Sequence, residues 1–492
     1  MASVPLHNSK KASEPPAIAR PRALIVLTRK PWLAILILAV VAGAALRFAD
    51  LGSNEMSADE AATWAAAAAP SVAQVIALQK KLNAGKLAVH DVLLHGWIAM
   101  FGDGIRALRS LSALLGTIAI VLVFWVAREL LTPACDCAAA GDTVKRGADL
   151  AAAIAALIFA VNLVTIKYSR ELRMYPLMLS LLLAQVGFFI RASRRGGFVN
   201  YVAAGMLADA AIATNLSATL IFGTEGLWLL CLLARSGFRP LASESRRAWK
   251  VAIALALAGA AFAPVLLEEW RTGSAAVGRG VLGWIQRPPL WEPFALFNKA
   301  TGTFAFPVLA ALAAYGAIRG WRVARDAAAF ALVWMWTPVI VLMIVSYAVA
   351  PALAERYVLS CFVPMFFLAA LGICELGSSR TLGLALAAAA ALSIGHVYSF
   401  MRKPHDIQWR EATAIALKNL APGATLSTRP AYAVEVVRYY LPPAERERAQ
   451  RGGDPAIVLV EERGRGAAPH TAVNQKFPVT IARLRGVAVL KR

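Results

Sequence analysis

Long apolar runs, interrupted by short polar and basic segments, dominate the chain from about residue 31 to about residue 400. Several runs are about 17 to 24 residues long, which lets an α-helix cross the ~30 Å hydrocarbon core of a membrane. The pattern predicts an all-α polytopic membrane protein with about eleven transmembrane helices. The predicted spans are 31–50, 108–131, 149–167, 175–192, a pair within 198–234, 251–267, one ending near Arg319, 327–349, 358–375 and 381–400.

Basic residues set the expected orientation of these spans. Residues 1–30 are polar and basic, and they predict a disordered cytoplasmic tail ahead of an uncleaved signal anchor. The next basic stretch, 128–146, should lie in the cytoplasm too. The apolar segment 88–101 between them then cannot cross the membrane. We therefore expect 51–107 to form one large external loop of interfacial helices, including an amphipathic helix at 72–82.

The composition changes after residue 400, where the long apolar runs stop. The pattern predicts helices at 409–420 and 432–441 and strands at 424–427 and 457–460. We expect a transmembrane domain over 31–400 and a small α/β domain over 401–492. An odd number of crossings from a cytoplasmic N-terminus places this second domain, with the C-terminus, on the external side.

Composition narrows the range of partners. The formal net charge is +22, although only 16% of the residues are charged, against about 25% in typical soluble domains. Because the basic residues cluster between spans, the charge indicates contact with anionic membrane lipids and not with nucleic acid. The five cysteines lack a metal-binding spacing, and their odd number argues against a disulfide framework.

Two adjacent acids, Asp59 and Glu60, follow the first span. Ser57 and Glu60 have the spacing of a capping box, and acids favour the positive end of a helix dipole. Ionisable groups beside a membrane also cost desolvation free energy, which suggests a functional site. The two interpretations are compatible, because a capped helix is a rigid support for a carboxylate.

Other charged pairs fall on the same predicted external side. Each pair alone is typical of a solvated helix end, but together they predict a polar site at the outer face of the bundle. Arginine can bind phosphate oxygens in a bidentate fork, and a carboxylate can take a proton from a hydroxyl group. The residues concerned are Arg170, Glu171, Arg173, Glu268, Glu269, Glu355 and Arg356.

Several motifs carry a family resemblance, over roughly 47–235 and more weakly over 351–375. They are Asp59-Glu60-Ala61, Leu93-Leu94-His95-Gly96-Trp97, Tyr168-Ser169-Arg170-Glu171-Leu172-Arg173-Met174-Tyr175, Glu355-Arg356-Tyr357 and Trp409-Arg410-Glu411-Ala412. With these motifs the chain resembles bacterial members of the protein O-mannosyltransferase and aminoarabinose-transferase superfamily. These are polytopic glycosyltransferases that use polyprenyl-phosphate sugars, and the chain looks most like a rhizobial lipopolysaccharide galacturonosyltransferase branch.

The resemblance implies an enzyme of the bacterial inner membrane. It would transfer a sugar, with inversion, from a polyprenyl-phosphate donor to a hydroxyl group of a lipid, polysaccharide or protein at the periplasmic face. The implied catalytic acids are Asp59, Glu60 and Glu171, and the implied ligands of the donor phosphate are Arg173 and Arg356. The resemblance also implies that His90, Asp91, His95 and Tyr175 contact the acceptor or belong to a substrate-binding loop. The sequence requires no cofactor, but a divalent metal could bind Asp59 and Glu171.

One stretch departs from the family. Where its members usually carry His-Pro-Pro-Leu-Tyr-Tyr, this chain reads Lys86-Leu87-Ala88-Val89-His90-Asp91. The loss of both prolines and both tyrosines leaves a non-catalytic relative as one alternative. A transporter or lipid-binding membrane protein is another, although its polar residues should lie near the midplane of the membrane.

Overall fold

A computed structural model describes most of the chain. The described residues are 30–83, 86–132, 142–238, 243–278, 285–376, 379–402, 407–462 and 476–492. Apart from Lys30, the predicted cytoplasmic tail lies outside them. The helices are α1 (Pro31–Phe48), α2 (Ala58–Ala67), α3 (Val72–Leu82), α4 (Val89–Phe101), α5 (Ile105–Leu131), α6 (Asp142–Val161), α7 (Leu163–Ser169), α8 (Tyr175–Arg195), α9 (Phe198–Thr214), α10 (Leu220–Arg235), α11 (Ser243–Gly278), α12 (Glu292–Thr301), α13 (Ala305–Val323), α14 (Arg325–Ala348), α15 (Phe362–Cys374), α16 (Ser379–Arg402), α17 (Trp409–Lys418) and α18 (Val434–Tyr440).

The apolar helices make this a multi-pass helical protein. Within the described residues, six helical segments are long and apolar enough to cross a membrane, and the number rises to eight if two bent helix pairs each form one span. The bent pairs are α6 with α7, at 60°, and α12 with α13, at 109°. Two further predicted spans correspond to α9 and α15, which are shorter apolar helices. The count of about eleven crossings therefore stays a prediction.

The predicted external loop consists of three short helices. α4 has 13 residues, a length of about 20 Å, and is too short to cross a ~30 Å hydrocarbon core. It packs against α2 and α3 and against the start of α5. All three helices lie at the end of the bundle where α7 ends and α8 begins.

The C-terminal residues form a small mixed sheet covered by helices. Its strands are β1 (Leu426–Arg429), β2 (Ile457–Glu461), β3 (Val479–Leu484) and β4 (Val487–Lys491), in the order β1-β2-β4-β3. β1 and β2 are parallel, and the other pairs are antiparallel. The β3–β4 hairpin was not predicted. Its turn depends on Gly486, whose φ of +79° suits glycine best.

The change of composition near residue 401 is not a boundary in packing. Buried residues of α2, including Trp64, share one apolar core with Trp409 and Val437 of the C-terminal domain. The Trp64 and Tyr439 rings meet edge to face with centroids 5.0 Å apart. The Met56 amide donates a hydrogen bond to the Tyr440 hydroxyl at 2.8 Å. The C-terminal residues therefore pack directly against the first-loop helix α2.

Candidate functional site

The start of α2 separates the two adjacent acids. Ser57 caps the helix, its hydroxyl accepts the Glu60 amide, and the Glu60 carboxylate accepts the Ser57 amide at 2.9 Å, so the predicted capping box is present. Successive helical positions point about 100° apart, which turns Asp59 and Glu60 in different directions. The Asp59 side chain is 60% exposed, whereas that of Glu60 is 3% exposed.

Glu60 lies in a buried ion pair that joins three chain segments. Its two oxygens accept hydrogen bonds from Nε and Nη2 of Arg109, each at 2.8 Å. The Leu172 amide donates to the same carboxylate at 2.8 Å. Burial by itself would raise the pKa of Glu60, but the hydrogen bonds and charge of Arg109 outweigh burial and lower it. The structure thus places Glu60, a predicted catalytic acid, in a position where it anchors α2.

Asp59 faces two arginines that are distant in sequence. Its Oδ2 lies 3.8 Å from Nη2 of Arg173 and 3.4 Å from Nη1 of Arg356. Arg173 precedes α8, and Arg356 lies in a short 3₁₀ turn that follows α14. The Arg173 charge, followed by that of Arg356, holds the pKa of Asp59 below its ordinary value. Three of the predicted site residues therefore form one cluster, which we call the Asp59 cluster.

Arg173 is the most constrained member of this cluster. Its Nη1 donates to the Asp59 carbonyl at 2.9 Å and to the Thr63 hydroxyl at 3.2 Å. Its guanidinium carbon lies 5.8 Å from the centroid of the Tyr175 ring. Among the described residues, its buried Nε has no hydrogen-bond partner. This nitrogen is shielded from solvent, so the Arg173 side chain meets the open space beside Asp59 through its Nη atoms.

A second buried group of charges borders the cluster, in the stretch that departs from the family motif. Nζ of Lys86 lies 2.8 Å from Oδ2 of Asp91, and both side chains are almost fully buried. Burial lowers the pKa of Lys86, although the Asp91 charge opposes this effect. His90 is also buried, and burial lowers its pKa to about 3. The sequence analysis names Lys86 in this stretch but assigns it no role in the site. The short separation of Lys86 and Asp91, five residues, was the signal that could have indicated the pair.

Glu171 opens into a different space from Asp59. It lines a cavity of about 350 Å³ together with Glu60, Arg109, Lys167 and Arg170. Burial raises the pKa of Glu171 to about 7. At neutral pH this carboxyl group can therefore gain or lose a proton easily, as a general acid or base must.

The remaining predicted residues have supporting positions. Nδ1 of His95 lies 2.8 Å from the Ala67 carbonyl and links α4 to α2. Tyr175 is buried and meets Tyr168 edge to face, with ring centroids 5.2 Å apart. Glu355 pairs with Lys167 at 3.0 Å, which ties the turn that carries Arg356 to α7. Glu268 lies exposed on α11, and the side chain of Glu269 is outside the described residues.

A divalent metal at Asp59 and Glu171 stays a prediction. Across the described residues, His, Cys, Asp and Glu side chains nowhere form a group of three that could bind one. The Asp59 carboxylate faces two guanidinium groups, so its negative charge is already compensated. A divalent cation placed there would be repelled by both arginines.

Comparisons with known proteins yield matches to solved structures. No protein-family model and no curated protein matches the sequence. The structure is similar to ArnT from Cupriavidus metallidurans bound to undecaprenyl phosphate, with a TM-score of 0.60 and 12% identity over 96% of this chain and 98% of that chain.

It is also similar to the archaeal oligosaccharyltransferase AglB from Archaeoglobus fulgidus, in complex with an inhibitory peptide and a dolichol-phosphate. The TM-score is 0.56, with 12% identity over 84% of this chain and 64% of that chain. An oligosaccharyltransferase from Archaeoglobus fulgidus in complex with Zn and sulfate gives a TM-score of 0.54, with 12% identity over 87% of this chain and 68% of that chain. At such low identity these likenesses show a shared fold, and at that level they confirm the resemblance indicated by the motifs.

Proposed function

We propose that this protein transfers a sugar from a polyprenyl-phosphate donor to an acceptor hydroxyl group. The observation that carries the proposal is the Asp59 cluster, in which a half-exposed carboxylate lies beside two guanidinium groups at the end of an apolar helical bundle. The same fold is found in ArnT bound to undecaprenyl phosphate. A lipid phosphate enters such a bundle from the membrane side and meets the arginines at its boundary.

Arg173 and Arg356 bind the donor phosphate in this proposal. The bond between the anomeric carbon and the phosphate oxygen breaks, and its electron pair stays on that oxygen. The two guanidinium groups stabilise the charge that develops there, which is where electrostatic catalysis contributes most. Tyr175, under the guanidinium, restricts Arg173 to this geometry.

Asp59 receives the proton of the acceptor hydroxyl. The hydroxyl oxygen attacks the anomeric carbon from the side opposite the phosphate, so a single displacement inverts the configuration. The products are a glycoside and a polyprenyl phosphate. In the free protein the arginines lower the pKa of Asp59 and keep it ionised. A bound phosphate neutralises part of that positive charge, which makes Asp59 a stronger base once the donor is in place.

Glu171 is a second acid at the edge of the site, in the cavity that Glu60 and Arg109 also line. Its raised pKa suits proton transfer at the edge of the site. The Lys86–Asp91 pair adds buried charge beside Asp59, where His90 and Asp91 shape the acceptor side.

We also propose on which side of the membrane the Asp59 cluster lies. The Asp59 cluster lies at the periplasmic face of the bacterial inner membrane, with a cytoplasmic N-terminus and a periplasmic C-terminal domain. The basic loops at the other end of the bundle support this orientation through the positive-inside rule. The partners are the polyprenyl-phosphate sugar, the surrounding membrane lipids and a lipid, polysaccharide or protein acceptor.

A second candidate is a non-catalytic relative that binds polyprenyl phosphate. The buried Lys86–Asp91 pair favours it, because this pair occupies the stretch where the prolines and tyrosines of the family motif are lost. Such a protein would keep the phosphate ligands Arg173 and Arg356 but would not transfer sugar. A transporter is less well supported, because the described acids and bases of the Asp59 cluster lie at one end of the bundle.

Incubation of the purified protein with labelled polyprenyl-phosphate sugars and an envelope extract as acceptor tests the proposal. We expect label to leave the polyprenyl fraction. Asp59→Asn should slow transfer by at least about a hundredfold, because a positioned general base contributes about 10²–10⁴-fold. Arg356→Ala should weaken donor binding first.

Asp103→Asn is the matched control, because it removes an exposed acid at the same end of the bundle, outside the cluster. It should keep normal transfer. Binding of polyprenyl phosphate without any transfer would favour the non-catalytic candidate. Normal transfer by Asp59→Asn, measured per folded protein, would contradict the proposed role of Asp59.

A further inference from the structure

A cavity at the opposite end of the bundle is not explained by the proposed reaction. It has a volume of about 540 Å³ and lies where α8 ends, α9 begins and α11 begins. α8 runs from Tyr175, at the Asp59 cluster, to Arg195, at this cavity. Its 21 residues correspond to about 30 Å, so the cavity and the cluster lie about one membrane thickness apart.

Cations dominate the lining of this cavity. Four basic residues line it, namely Arg195, Arg246, Arg247 and Lys250, and the described lining contains no acid. Arg195 is partly neutralised by Glu129 at 3.3 Å, and Arg247 donates to the Ser193 carbonyl at 3.2 Å. Arg246 and Lys250 are exposed side chains. The space is therefore positive and accessible, which suits an anion.

The backbone adds to this preference for an anion. Gly196 and Gly197 line the cavity in the turn between α8 and α9, with φ of +72° and +99°. The turn places the start of the 17-residue helix α9 at the cavity wall. The first amides of a helix have no intrahelical acceptor and favour phosphate groups.

The surroundings indicate a lipid and not a soluble anion. Phe198, which lines the cavity, is 80% exposed, and its neighbour Val199 is 70% exposed. Trp249 on α11 is also exposed. The first part of α11, Ser243–Val265, is apolar enough to cross a membrane, and only 11% of its 18-residue apolar window is buried inside the protein. This apolar surface therefore faces acyl chains directly beside the cations.

From these observations we infer that the cavity binds the phosphodiester headgroup of an anionic phospholipid, in the leaflet opposite the Asp59 cluster. Arg246 and Lys250 bind the phosphate, while Phe198 and Trp249 contact the acyl region. The volume is sufficient for a glycerophosphate group, because small-molecule sites occupy about 300–1,000 Å³. The bound lipid anchors this end of the bundle in the membrane. This inference does not depend on the sugar-transfer proposal.

Native mass spectrometry of the full chain in detergent, titrated with phosphatidylglycerol or phosphatidylcholine, tests this inference. The double variant Arg246→Gln/Lys250→Gln removes the two exposed cations and leaves the Arg247 hydrogen bond intact. Since one exposed charged contact contributes up to about a fivefold factor in binding, we expect the loss of both contacts with the headgroup to weaken binding of phosphatidylglycerol about tenfold to thirtyfold. Binding of phosphatidylcholine should stay unchanged.

The double variant Arg322→Gln/Arg325→Gln is the charge-matched control, because both residues lie at the same end of the bundle outside this cavity. It should bind phosphatidylglycerol like the wild type. Equal losses in the two double variants would overturn the inference, as would equal binding of both lipids by the wild type. Displacement of the lipid by inorganic phosphate at equal concentration would overturn the assignment to a lipid. None of these measurements requires sugar transfer.

Discussion

The two ends of the helical bundle hold their charges in different ways. At the end of the Asp59 cluster, acids and bases from distant segments pair in buried positions, as in Glu60–Arg109, where the side chains are 3% and 6% exposed. At the opposite end, a pair such as Arg235–Asp326 has side chains that are 41% and 53% exposed. Several other cations there, including Arg246 and Lys250, line an open cavity.

The difference shows that the number of charges at one end of the bundle and the way in which they pair have separate physical consequences. Exposed basic residues need no partner side chain, because they act on orientation in the membrane through their number. A buried charge, in contrast, needs a defined partner to compensate for lost hydration. Substitutions at the two ends should therefore differ strongly in their effects.

The largest effect is expected for Glu60→Gln. The change leaves the Arg109 guanidinium buried without its charge partner, and breaking a buried pair typically costs about 3–5 kcal/mol. We expect the free energy of unfolding, measured by denaturing titration in mixed micelles, to fall by this amount. Adding Arg109→Gln to the variant should recover part of the loss, and additive losses would contradict a direct coupling.

The next effect concerns Arg173 in the Asp59 cluster. Arg173→Met keeps most of the side-chain volume but removes the cation that faces Asp59 and the proposed donor phosphate. Because a positioned cation acts on charge that develops in the transition state, we expect transfer to slow by about 10²–10³-fold. A transfer assay on folded protein measures it. Arg322→Gln, which removes a cation at the other end, should retain wild-type transfer; a comparable loss there would remove the distinction between the two ends.

A smaller effect is expected from Glu171, which should make the free energy of unfolding depend on pH. Its pKa of about 7 in the folded protein lies above the ordinary value for glutamate, near 4.5. Between these values the folded state keeps a proton that the unfolded state has released, so stability should fall as pH rises from about 5 to 7 and then level off. The expected fall is on the order of 1–3 kcal/mol. Glu171→Gln should flatten the profile of melting temperature against pH, and an unchanged profile would assign the dependence to another group.

The smallest effect is expected at the exposed end. Asp326→Asn removes the partner of Arg235, but exposed pairs contribute only about 0–1 kcal/mol because water and salt screen them. The free energy of unfolding should change by less than about 1 kcal/mol, and transfer should stay normal. A loss as large as that of Glu60→Gln would mean that burial does not separate the two ends.

The sequence by itself determined the class of the protein and the approximate positions of its elements. Apolar runs of membrane length and the capping box at Ser57 are local features, because helix formation and capping depend on residues within a few positions of each other. The short α4 was predicted for a related reason, from length and charge. The predicted topology and the family resemblance also placed Asp59, Arg173 and Arg356 in one expected site.

Only the tertiary structure decided which of two adjacent acids faces outward and which is buried. Asp59 and Glu60 have the same local sequence context, but Arg109 and the Leu172 amide lie on the Glu60 side alone. The Lys86–Asp91 pair, the common core of Trp64 and Val437 and the basic cavity beside α9 likewise depend on how helices pack. Packing between distant segments sets burial, and burial decides whether a charge anchors the fold or remains open to a ligand.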